Sequence, residues 1–204
     1  MSSTSSSLLP FRVVCCSSEM DHAPAIELQL SAYRNTSGIE NAGGYQSGEF
    51  PDTPIEIGLH VGTGSIYIDS VTFLIHRYKI PSKVEVFYGS YGSSKEDDEY
   101  LANIRNYKNN NNNNKSSNPL KDIDEVEMIE GERAYLRGNF RRIGFVKFSS
   151  KEDIGYTSRE LKTVQVNQTV EGKYVFLKFL FYEAIVNQVN VHNQIGIISL
   201  DVKG

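Results

Sequence analysis

Four histidines, two cysteines and a few acidic clusters are the residues of this chain whose types could carry chemistry, and their spacing decides what each can do. His22, His60, His76 and His192 stand far apart, with no two at metal-ligand spacing. Cys15 and Cys16 are neighbours. Adjacent side chains on an extended strand point to opposite faces, so the pair is poorly placed to bridge itself. Without a partnered histidine it makes no zinc site either. The glycines of "HVGTGS" lack the lysine and following helix of a phosphate-binding loop. No serine sits in a G-x-S-x-G elbow. The cluster "KEDDEY" has charge but neither the regular ligand positions nor the turn glycine of a calcium loop, so it reads as solvated acidic loop. No catalytic residue, metal or cofactor is expected from these patterns, and the chain is not expected to be an enzyme.

Two polar constellations remain. In "FLIHRYKI", alternation puts Leu74, His76 and Tyr78 on one face, a satisfied polar pair at a strand end. In "VNVHNQIGIISLDV", His192, Asn193 and Gln194 crowd the mouth of an apolar strand, where amides satisfy backbone groups at a turn. Arg141 and Arg142 in "FRRIGF" read as ordinary surface at a strand entrance.

The elements that must position these residues are strands. Tyr, Phe, Val and Ile dominate the apolar residues, glycine is common and tryptophan absent, a mixture that favours sheet. Phe11 to Cys16 reads as a strand with Phe11, Val13 and Cys15 on one face. "IEIGLHV" (Ile55 to Val61) alternates with Glu56 and His60 outward. Tyr67 to Tyr78 is a longer β-branched and aromatic run, and Lys83 to Tyr88 follows a turn at Pro81 and Ser82. After an interruption, "RRIGFVKFS", "RELKTVQVN", "KYVFLKFLFY" and the final segment resume the pattern. At least seven or eight strands with no long helix favour an antiparallel sandwich, because parallel sheets need crossover helices.

The chain has 204 residues, ordinary for one sandwich domain. We expect a disordered Ser-rich lead-in over residues 1–10 and a single domain over 11–204. An acidic, Asn-rich insertion at about 89–139 interrupts it, with six consecutive asparagines from Asn109 to Asn114. Helical turns are expected there at "DDEYLANIR" and "DIDEVEMIEGERAYL". The net charge of −4 belongs to this insertion: Glu96 to Glu132 holds ten acids against four bases, which leaves +2 for the rest. A chain so balanced has no basic stripe, and nucleic acid is not an expected partner. The N-terminus lacks a basic n-region, so no secretory signal is expected. The apolar run "YVFLKFLFYEAIV" holds Lys178 and Glu183 and is too short to span a bilayer, so no membrane partner is expected.

Several segments in order resemble the N-terminal domain of the centrosomal protein of 104 kDa family. They are "EFPDTPIEIGL", "LIHRYKIPSKVEVFY", "FRRIGFVKFSS", "SRELKTVQV", and "KYVFLKFLF" with "VNVHNQIGIISLDVKG". The resemblance covers most of Phe11 to Gly204 outside the insertion. It implies an all-β, antiparallel jelly-roll sandwich of the discoidin or galactose-binding-like type. It also implies a setting in the cytoplasm and cytoskeleton, at the cilium tip, axoneme and centriole. In the family the domain is followed by coiled coils, a tubulin-binding TOG domain and zinc fingers, none of which lies in these residues. The family pattern places Trp where Tyr45 stands and Tyr where His192 stands, which speaks against imidazole chemistry at His192.

The expectation is therefore a non-catalytic interaction module that docks tubulin, microtubule doublets or other ciliary-tip proteins. The alternative is a small-ligand, carbohydrate-type binding sandwich, for which Tyr45 in its Gly-rich loop would be the aromatic platform. Because tubulin's surface is acidic, Lys147, Lys151, Arg159, Lys162 and Lys173 are the expected partner-binding bases, with Tyr45 beside them.

Overall fold

The computed structural model describes residues 7–29, 44–92, 99, 100, 102, 130–149 and 159–204. Among them are seven strands: β1 (Arg12–Cys16), β2 (Tyr45–Gln46), β3 (Ile55–Ile75), β4 (Lys83–Tyr91), β5 (Asn139–Lys147), β6 (Glu160–Phe181) and β7 (Gly196–Lys203). Every pairing between them is antiparallel.

β3 and β6 are 21 and 22 residues long, and each serves two layers. The first half of β3 pairs with β1 and with the second half of β6, which pairs in turn with β4, and β4 with β5. The second half of β3 pairs with the first half of β6 and with β7, and β2 adds to β7. The chain turns between layers at Gly62 and Gly64, both at positive φ, where the register with β6 shifts on either side. A side chain would resist that backbone, so "HVGTGS" is a sandwich corner. Sequence alternation read each long strand as two; the hydrogen-bond ladder carries through the corner and joins them. The layers close on a common core, in which Phe73 of one meets Phe179 and Phe181 of the other edge-on at 5.2 and 6.2 Å.

Three expectations change in the structure. β1 carries a register shift between Val13 and Cys15. A bulge of this kind flips the faces after it, so Val13 and Cys16 pack on the main core while Cys15 turns away from it. Within the lead-in expected to be disordered, residues 7–9 are paired with the end of β7: Ser7 and Leu9 N–H donate to the Gly204 and Val202 carbonyls at 2.9 and 2.8 Å. Within the expected insertion, β4 runs on to Tyr91, past the expected strand end at Tyr88, while residues 130–136 are helical, as expected for "DIDEVEMIEGERAYL". The asparagine run and most of "DDEYLANIR" lie outside the described residues.

That helix closes the outer face of the first layer. Tyr135 lies over β3 so closely that a Cβ at Gly58 would collide with its ring. Tyr135, Phe176, Tyr174, Phe140 and Ala134 form a second apolar cluster there, with Tyr135 and Phe176 perpendicular at 5.5 Å. Two tyrosine hydroxyls secure it: Tyr135 donates to Glu56 at 2.8 Å and Tyr174 to Glu130 at 2.9 Å. His60 packs against Tyr174 and Phe176, so the outward face of β3 is covered rather than solvated. No described helix is long and apolar enough to cross a membrane.

Candidate docking surface at the loop end

The strand registers bring several loops to one end of the sandwich. β3 ends at Ile75 opposite Glu160 and Ile197, while β4 starts at Lys83 opposite Lys147, beside the end of β6. Backbone hydrogen bonds lace the loops together. His76 N–H donates to Gly196 O, Ser82 N–H to Glu183 O, Ile185 N–H to Ile80 O, and Phe148 N–H to Ser82 O.

The turn after β3 is built on His76. Its Nδ1 accepts from the backbone N–H groups of Tyr78 and Lys79 at 3.2 and 3.4 Å. Burial, then the charges of Lys79, Arg159 and Arg77, push its pKa down to about 4. A neutral imidazole that caps a turn is the satisfied strand-end group that alternation suggested, although its partners are backbone and its ring only tilts toward Tyr78 at 5.7 Å.

The loop between β6 and β7 is held by buried amides. Asn187 Oδ1 accepts from the Val189 and Asn190 N–H groups, and its Nδ2 donates to Tyr78 O at 2.9 Å. Asn190 closes on Gln194 in both directions, at 2.8 and 3.0 Å. Gln194 Nε2 donates to Ser47 O, and Ser47 Oγ accepts from Ile195 N–H at 2.9 Å. Buried polar groups satisfied in this way make a rigid loop. Gln194 therefore does what the sequence suggested, Asn193 takes the left-handed conformation, and Asn187 and Asn190 carry the rest. His192 lies 3.6 Å from Glu49, beyond hydrogen-bond range, and its ring meets Phe50 edge-on.

The expected partner-binding residues divide. Lys147 is exposed at the end of β5, its ammonium 6.0 Å from the Phe145 ring. Arg159 is exposed just before β6 and close enough to His76 to depress its pKa. Lys162 pairs with Glu160 at 2.9 Å, and Glu160 also accepts from Ser149 N–H at 3.2 Å, which ties β5 to the start of β6. These three bases share the loop end. Lys173 does not: it sits beside Gly92 near the corner, at the opposite end. Lys151 lies outside the described residues. Tyr45 is 1% exposed, its hydroxyl donates to Ser18 O, and burial pushes its pKa far above the ordinary tyrosine value. It is a core residue and offers no ring for stacking.

Arg142 donates to Glu85 at 3.0 Å, and Glu85 also accepts from Lys83 and from the Tyr182 hydroxyl. Burial opposes ionisation of Glu85, but these hydrogen bonds hold its carboxyl below the usual range. Arg141 instead lines a polar cleft of about 630 Å³ near the corner, with Arg137, Ser90 and Glu171. Cys15 stands 3.9 Å from Glu56, and burial followed by that carboxylate pushes its pKa up to about 11, so it is not an activated thiol. Among the described residues no three His, Cys, Asp or Glu side chains converge as metal ligands.

Sequence reading missed one feature of this end. Phe50 is 64% exposed and Val186 82%, with Val189 and Val191 also outward on the amide-braced loop. Phe50 and Val186 line a groove of about 270 Å³ with Pro51, Thr53, Glu183 and Asn193. A signal was present: apolar residues scattered through turn-rich "GEFPDTP" and through "AIVNQVNV" have no strand face to join.

A family model described as Centrosomal protein CEP104, N-terminal domain, matches residues 44–204. The chain belongs to this family. The human and mouse centrosomal proteins of 104 kDa are 27% and 26% identical to it over 194 residues, 95% of this chain. The chain spans only 16% of the length of those relatives. The family and these relatives are named as centrosomal. Among solved structures, a family 32 carbohydrate-binding module from C. perfringens NanJ, in complex with galactose, superposes with a TM-score of 0.54 at 10% identity, covering 98% of this chain and all of that one. The N-terminal domain of the single-strand break repair protein XRCC1 gives 0.53 at 12% identity, covering 97% and 99%. These likenesses establish the galactose-binding-like jelly-roll fold that the family resemblance implied.

Proposed function

We propose that this domain is a non-catalytic docking module of a cytoskeletal protein, engaging an acidic partner surface such as that of tubulin or another ciliary-tip component through the basic side of its loop end. The observation that carries the reading is the shared position of Lys147 at the end of β5, Arg159 just before β6 and Lys162 among its first residues, at the end where backbone hydrogen bonds lace the loops together. Lys151 is kept in the set on its charge and its place in sequence between Lys147 and Arg159. Lys173 is left out because it lies at the other end. The family's centrosomal name supports a protein partner over a small molecule. The carbohydrate alternative loses its main support, since Tyr45 is buried.

Microtubule co-sedimentation of this chain over a salt series tests the proposal. Exposed rim charges act mainly through electrostatic attraction, so binding should weaken with salt. Changing Lys147, Lys151, Arg159 and Lys162 together to Glu should reduce binding about tenfold at low salt, a sum of four modest contributions. Unchanged sedimentation of that variant would refute the basic surface.

A further inference from the structure

The groove beside Phe50 has the opposite character from the basic side of the same end. Phe50 holds its ring in solvent while its backbone stands at φ 46°, in the left-handed region that bulky residues avoid. The conformation is maintained from outside the residue: Phe50 N–H donates to His192 O at 2.8 Å, and the His192 ring abuts it edge-on at 5.5 Å. His192 follows the Asn187–Asn190 brace, so two loops fix one exposed aromatic. Across the groove stand Val186 and Glu183. The exposed carboxylates Glu49 and Asp52 flank Phe50 and Pro51 in sequence, and Glu183 is exposed too. Lys79, near Glu49, offsets part of this charge, with its ammonium held by Gln46.

An exposed aromatic fixed against its backbone preference, beside an apolar groove with Glu183 in its lining, suits one kind of occupant. We infer that this groove binds a peptide segment of a partner protein that carries one bulky apolar side chain flanked by lysine or arginine. A volume of about 270 Å³ is just below the range of small-molecule sites, ~300–1,000 Å³, and suits a single anchoring side chain. Glu183 in the lining, with Glu49 and Asp52 exposed beside Phe50 and Pro51 in sequence, repels an acidic surface, so this site and the basic side take chemically opposite partners. The inference builds on the reading of the chain as a docking module but not on the identity of the partner at the basic side.

The test is an array of synthetic peptides, each with a central Leu, Ile, Phe or Trp and with basic, acidic or Ser/Gly flanks, probed with this chain. Fluorescence anisotropy on the strongest binder follows. Basic-flanked apolar peptides should be selected. Phe50→Ser and Val186→Ser should each weaken binding about tenfold, as loss of an anchor contact does. Glu183→Lys should weaken basic-flanked peptides severalfold and remove their salt dependence. Circular dichroism confirms that each variant is folded. Selection of acidic flanks, no selection above scrambled peptides, or unchanged affinity in Phe50→Ser would overturn the inference. So would a concentration-dependent dimer that Phe50→Ser abolishes, because the groove's occupant would then be a second copy. Microtubule co-sedimentation of Phe50→Ser separates the two proposals: lost peptide binding with normal sedimentation supports both, whereas wild-type sedimentation without any peptide binding removes this one alone.

Discussion

The outer face under helix 130–136 and the groove at the loop end both set aromatic rings beside carboxylates, with opposite outcomes. Under the helix, Glu56 and Glu130 accept hydrogen bonds from Tyr135 and Tyr174, and the rings pack on Phe176. The chain supplies both sides of each contact, so the surface is closed. At the loop end the described residues supply one side. Phe50 and Val186 face solvent, and Glu49 and Glu183 are exposed. The backbone below them is nonetheless held by hydrogen bonds to Asn187, Asn190 and Ser47 side chains and between the loops. A rigid base under exposed apolar groups is what docking requires, because little ordering is left to oppose binding. Residue type alone does not separate a structural aromatic from a binding one. What separates them is whether another element of the same chain covers it.

The contrast can be broken by mutation. Phe176→Ala, in the closed cluster, should lower stability by about 3–5 kcal/mol through lost burial and a cavity; denaturant unfolding measures it, and a loss below 1 kcal/mol would mean that the helix does not pack as described. Gly58→Ala should cost about 1–3 kcal/mol because the new methyl meets the Tyr135 ring, and Tyr135→Ala in the same chain should recover part of that loss. His76 sharpens the view of the loop end. Its folded pKa of about 4 lies below the ordinary value of 6.5, so the unfolded chain binds the extra proton first. The stability held above pH 6.5 is therefore lost as pH falls toward 4. His76→Asn, which keeps an acceptor for the turn, should flatten that part of the melting-temperature profile by the equivalent of about 1 kcal/mol, allowing for screening at a partly exposed site. Tyr135→Phe should cost about 0.5–1.5 kcal/mol, since Glu56 keeps access to Lys178 and solvent. Smallest of all, Phe50→Gly should change stability by no more than about 0.5 kcal/mol, because exposed packing is lost while backbone strain is relieved. A large loss there would make Phe50 structural and end the contrast.

Much of the fold was legible in the residues. "IEIGLHV" reported which side chains of β3 enter the core, and "HNQ" before "IGIISL" reported a polar turn into a buried strand. Other features could not be read locally. The bulge in β1 sends Cys15 and Cys16 to faces opposite those that simple alternation assigns, because one extra residue resets the period. Glu56 and His60 read as outward, and they do point away from the main core. The helix that covers them arrives from a segment with Tyr135 79 positions beyond Glu56. Tyr45 stood as a platform only under the carbohydrate alternative, and Ser18, 27 positions earlier, takes its hydroxyl inside. The basic residues were nominated by charge alone, and the register then gathered Lys147, Arg159 and Lys162 while separating Lys173.

Sequence by itself determined that this chain forms antiparallel strands, which residues alternate into their cores, and to which family it belongs. Those properties are short-range: side-chain alternation follows from the pleat, and family likeness from residues in order. Tertiary structure alone decided that two strands each serve both layers, that one outer face is sealed, and that Phe50 stands uncovered beside Val186. Exposure depends on what the rest of the chain brings to a residue, and here those contacts come from segments tens to more than a hundred positions away.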